Sequence, residues 1–75
     1  MRDFLAFLTG APLGTRVVVR TRIEGGFTDA VGYLREASPA FVVVETKRGL
    51  VTLALGDVVA AKEVPPPPPA RAPRR

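Results

Sequence analysis

Between residues 15 and 63 the chain alternates apolar and polar side chains with a period of two, a pattern that suits strands and little else. Successive strand side chains point to opposite faces. Residues 15–23 therefore put Val17, Val19, Thr21 and Ile23 on one face and Arg16, Val18, Arg20 and Arg22 on the other. Glu24-Gly25-Gly26 supplies a turn, and residues 27–36 form a second strand in which Gly32 marks a bulge or sharp bend. Ser38-Pro39 breaks it. Residues 40–47 form a third strand with Val42, Val44 and Thr46 inward, and Lys47-Arg48-Gly49 turns the chain into a fourth, residues 50–55. Residues 56–58 fit a single 3₁₀ turn capped by Asp57, and residues 60–64 a short last strand.

Ahead of these strands, residues 2–8 carry Phe4, Leu5, Phe7 and Leu8 at helical spacing, with Asp3 in the first turn. So short a helix is marginal alone and exists by packing onto the sheet. Five short strands with tight turns imply an all-β fold: a five-stranded SH3-like or Sm-like small barrel with a short N-terminal helix and a disordered Pro/Arg tail. The expected organisation is helix and turn over residues 1–12, barrel over 13–64 and tail over 65–75. The predicted core is Val17, Val19, Ile23, Leu34, Val42, Val44, Val51, Leu53, Leu55 and Val58.

Composition removes most chemistry. The 75 residues contain no cysteine and no histidine, so disulfides, thiolate sites and the commonest general base are all missing. Asp29, Glu36, Glu45 and Asp57 are scattered, and a barrel this small offers little pocket in which two could converge. Neither a phosphate-binding loop nor a dinucleotide fingerprint is present. The reading expects no enzyme activity, no cofactor, no metal and no small-molecule substrate. Asp3 interrupts the basic start of a would-be signal peptide, so cytoplasmic residence without a membrane is expected. The +4 charge is uneven: residues 1–64 hold eight of the eleven basic and all seven acidic side chains, so the body is near neutral and the tail carries +3.

Two surfaces invite a partner. Arg16, Arg20 and Arg22, with Arg35 on the adjacent strand, form a basic face that either tracks nucleic-acid phosphates or pairs with Glu36, Glu45 or Asp29. Phe41, Val43 and Leu50, with Val31 or Tyr33, are apolar residues that alternation places outside. They either dock a protein or lie under Phe4 and Phe7 of the helix. Pro66 to Arg71 also meets the PxxPxR pattern of polyproline ligands, although any proline run followed by arginine does so.

Leu13-Gly14-Thr15-Arg16-Val17-Val18-Val19-Arg20, with Gly25-Gly26-Phe27-Thr28-Asp29-Ala30-Val31-Gly32-Tyr33-Leu34, Lys47-Arg48-Gly49 and Leu53 to Lys62 before the prolines, carries a family resemblance. It resembles the amino-terminal SH3-like domain that precedes the catalytic domain in mycobacterial and other actinobacterial GNAT-family, histone-acetyltransferase-like proteins. The likeness spans residues 13–69. It implies an accessory barrel, joined in that family to an acetyltransferase domain by the proline-arginine stretch. The acetyl-CoA pyrophosphate loop of those enzymes has no counterpart here, so the resemblance carries over no catalytic residue and no acetyltransferase activity. It leaves a protein-interaction module with a protein partner or a second copy, the alternative being a small nucleic-acid-binding barrel. Leu53→Asp, which buries a charge in the predicted core, should abolish the cooperative thermal transition seen by circular dichroism; a melt near wild type would refute the inside–outside assignment.

Overall fold

The computed structural model describes residues 4–65. The order of elements is helix α1 (Phe4–Gly10), strand β1 (Arg16–Ile23), β2 (Gly26–Ala37), β3 (Phe41–Thr46), β4 (Gly49–Ala54), a 3₁₀ turn (Leu55–Asp57) and β5 (Val58–Glu63). All five strands are antiparallel in one sheet of order β4-β3-β2-β1-β5. β4 and β5 are its two edges, so the barrel curls without a hydrogen-bonded seam. The tail expected over residues 65–75 lies outside the described residues beyond Pro65.

Alternation produces the core. Val17 and Val19 of β1, Leu34 of β2, Val42 and Val44 of β3, Leu53 of β4, and Leu55 and Val58 around the 3₁₀ turn form one buried cluster. Leu8 of α1 joins it with no exposed surface, and Phe4 and Phe7 pack against its edge. The helix thus plugs the barrel, packing chiefly on β5. It extends through Gly10, further than the sequence suggests: the Thr9 hydroxyl donates to the Leu5 carbonyl at 2.9 Å and the Ala11 amide to that of Phe7 at 2.9 Å.

Several expectations need correction. Ile23 was expected in the core and is 50% exposed. β5 follows β1 only as far as the Thr21–Val58 pair, so the β1–β2 hairpin projects past the last strand able to cover it. Val51 is only half-buried. Asp57 does not cap the 3₁₀ turn; the N-cap is Ala54, with no side-chain bond. Thr46 pairs with Gly49, so the β3–β4 turn is two residues, Lys47 and Arg48, with Gly49 at φ 120° beginning β4. The Arg48 amide donates to Thr46 Oγ1 at 3.1 Å and that hydroxyl donates to the Gly49 carbonyl at 3.0 Å, which locks the turn.

Gly32 has a role other than a bulge. The register shift in β2 falls between Leu34 and Glu36, at Arg35. At Gly32 the chain passes so close to the β3 backbone that an added Cβ would overlap the Glu45 carbonyl group and lie 3.1 Å from the Thr46 Cα. Here β2 takes up its second partner: it pairs with β1 from Gly26 to Tyr33 and with β3 from Tyr33 to Ala37. Gly32→Ala should therefore cost about 2 kcal/mol or more, on the order of a 10 °C lower melting temperature. Gly10→Ala, which meets nothing within 4 Å, should be neutral or stabilising; equal effects of the two substitutions would refute the close-approach account.

Candidate functional site

The outward face is set by the register. Across β4, β3, β2 and β1 one row runs Leu50, Glu45, Tyr33, Arg16. A second row holds Thr52, Val43 and Glu36, and Phe41 stands opposite Ala54. The structure thus brings Tyr33, Phe41, Val43 and Leu50 onto one side of the sheet. Leu50 is 68% exposed, while the other three are half-buried. The apolar surface is not continuous. Glu45 stands between Tyr33 and Leu50, its Oε1 accepting a 2.7 Å bond from Arg35 Nε, and the Arg35 guanidinium lies 5.7 Å from the centre of the Tyr33 ring. Phe4 and Phe7 sit against the barrel core.

The arginine face is equally specific in its contacts. Arg20 and Asp29 are direct cross-strand partners, and the guanidinium forks onto the carboxylate through Nε to Oδ1 at 3.0 Å and Nη2 to Oδ2 at 3.3 Å. Arg22, opposite Phe27, places its guanidinium 6.0 Å from the centre of that ring. Arg16 donates from Nη1 to the Pro65 carbonyl at 2.7 Å, where the chain leaves β5. Each of the four arginines has a partner within the domain, and two of those partners are acids. Glu36 makes no ion pair among the described residues.

The two acidic pairs cancel half of the charge on this face, and Arg16 and Arg22 have partners that are not acids. The hydrogen bond from Arg20 holds the Asp29 carboxyl below the usual carboxylate range and raises the guanidinium in turn. Among the described residues no group of three His, Cys, Asp or Glu side chains could hold a metal ion, and no helix is long and apolar enough to cross a membrane. Sequence reasoning missed the exposed apolar residues Phe27, at 58%, and Leu13, at 62%. The Phe27 position could have been found from hairpin length, since β1 and β2 outrun their neighbours.

A strongly bent antiparallel sheet of five strands, with an N-terminal helix plugging one end and a 3₁₀ turn before the last strand, defines a small Sm-like barrel. Comparison with protein families gives a match over residues 11–62, more than half of the chain. The chain belongs to that family, the Rv0428c N-terminal Sm-like domain. No curated protein and no solved structure matches it.

The Arg20–Asp29 pair has a pH signature. A carboxyl whose folded pKa is depressed contributes stability above its unfolded pKa, near 3.9, and loses it as pH falls through the folded value. An NMR titration should find Asp29 titrating below the ordinary carboxylate range, with Arg20→Gln returning it upward. An Asp29 midpoint unmoved by that substitution would show that the fork does not persist in solution.

Proposed function

We propose that this chain is a non-catalytic accessory barrel that docks a protein through the outward face of β2, β3 and β4, the partner being a catalytic domain of the acetyltransferase class. The observation that carries this reading is Leu50, 68% exposed on the same face as Val43 and Phe41 while the aromatic residues of α1 are spent on the core. Large aliphatic side chains in such a position gain free energy only when something covers them, at roughly 25 cal/mol per Å² of apolar area removed from water. The Arg35–Glu45 pair beside Tyr33 would form a polar rim, which favours a defined orientation over unspecific sticking.

Membership of a family of N-terminal Sm-like domains supports an accessory role, and the partner class rests on the resemblance of the sequence to barrels that precede acetyltransferase domains. Charge supports protein over nucleic acid. Arg20 and Arg35 are already paired with carboxylates, and a phosphate would have to displace these or share them.

Phe41→Ser with Leu50→Ser should leave the circular dichroism spectrum of the barrel in place and abolish its association with an acetyltransferase domain of the same family in a pull-down. Leu50→Ser alone, at an exposed position, should weaken it at least tenfold while leaving the melting temperature within a few degrees. Unchanged association in both variants would overturn the docking face. Affinity for an oligonucleotide that falls steeply between 50 and 200 mM salt, with no protein association, would favour a nucleic-acid barrel instead.

A further inference from the structure

β2 is twelve residues long, yet only its last part, from Tyr33 to Ala37, pairs with β3. From Phe27 to Val31 it is paired with β1 on one side and, among the described residues, with no strand on the other. The direction of its backbone groups follows from an observed bond. The Arg16 carbonyl accepts the Val64 amide at 2.9 Å, so Arg16 turns its backbone toward the β5 side. By alternation Val17, Val19 and Thr21 turn theirs toward β2, where they meet Gly32, Ala30 and Thr28. The amides and carbonyls of Phe27, Asp29 and Val31 therefore point away from β1, into open space beside the sheet.

That space is a cleft of about 920 Å³ between residues 28–33 of β2 and the β3–β4 turn. Its charge is one-sided. Asp29 and Glu45 line it but are held by Arg20 and Arg35, whereas Lys47 and Arg48 on the opposite wall have no acidic partner among the described residues. Thr21 also lines the cleft, with Oγ1 buried and without a hydrogen-bond partner. An unpaired strand edge, a facing pair of uncompensated cations and an unsatisfied hydroxyl meet in one place.

We propose that the free edge of β2 from Phe27 to Val31 takes an extended peptide segment with acidic side chains, added as a further strand, its carboxylates reaching Lys47 and Arg48. Main-chain bonds to Phe27, Asp29 and Val31 supply affinity, and the two cations select for acidic side chains. This surface adjoins the docking face at Tyr33 and Glu45, which line the cleft as well, but its main-chain bonds to Phe27, Asp29 and Val31 involve neither Phe41, Val43 nor Leu50, so the amide shifts and the Phe41 and Leu50 variants tell the two apart.

The test uses the full 75-residue chain, labelled with nitrogen-15. The probe is an acetylated, amidated heptapeptide alternating glutamate with threonine or valine. The amides of Phe27, Asp29 and Val31 should shift and exchange at least tenfold more slowly, with the amide of Val43 unmoved. Alternate N-methylation of the peptide, lysine in place of its glutamates, or Lys47→Glu with Arg48→Glu in the protein should each weaken binding at least tenfold. Those two side chains are free to change because the turn is locked by backbone and Thr46 contacts. Shifts confined to β4 or β5, equal binding of the N-methylated peptide, binding indifferent to the charge reversals, or no shift at millimolar peptide would each overturn the proposal.

Discussion

The close approach of Gly32 to the Glu45–Thr46 backbone is the constraint on which this barrel turns. A strand that must serve β1 with its first half and β3 with its second has to cross between them, and the crossing needs two backbones nearly in contact. No side chain fits there. Where β2 changes partner at this point, Leu34 lies in the core, the register shift falls at Arg35, and Val42, Val44 and Leu53 of β3 and β4 share one buried cluster with Val17 and Val19. The Leu34 amide and carbonyl are then held by the Thr15 carbonyl at 2.9 Å and the Gly14 amide at 2.7 Å, which fastens the segment leading out of α1 to β2 just past the crossing.

The same change of partner organises the surface. Beyond it, Tyr33, Glu45 and Leu50 form a row on the outward side, and the Arg35–Glu45 pair is placed in the middle of otherwise apolar residues. Before it, Arg20 and Asp29 are set opposite each other on the projecting hairpin. Two arginines of the sheet, Arg20 and Arg35, are thus cancelled locally by carboxylates, whereas Lys47 and Arg48 at the β3–β4 turn have no acidic partner among the described residues.

Much of the architecture was legible in the alternation. The number of strands, their order along the chain, the 3₁₀ turn before the last, and eight of the ten predicted core positions, with Val51 half-buried and Ile23 exposed, come from period two combined with turn chemistry. Ile23 was misplaced because a strand's own periodicity says which face a residue takes but not whether another strand reaches that far. Gly32 was recognised as special, yet its reason is a contact thirteen residues away, which local pattern does not contain. For the surface, residue types marked Phe41, Val43 and Leu50 as outward. Only register could show that Glu45 divides Leu50 from Tyr33, or that Arg35 chooses Glu45 while Glu36 makes no ion pair among the described residues.

The Glu24–Gly25 turn sits at the tip of an arm that pairs with neither β3 nor β5. Gly25, at φ 87°, makes the reversal without strain, and nothing crowds it. Lengthening that loop alters no rung of the barrel and adds only the slowly growing entropy of a longer closure. The tip of the arm can therefore be lengthened or carry a spectroscopic label while the paired rungs and the buried core stay as they are.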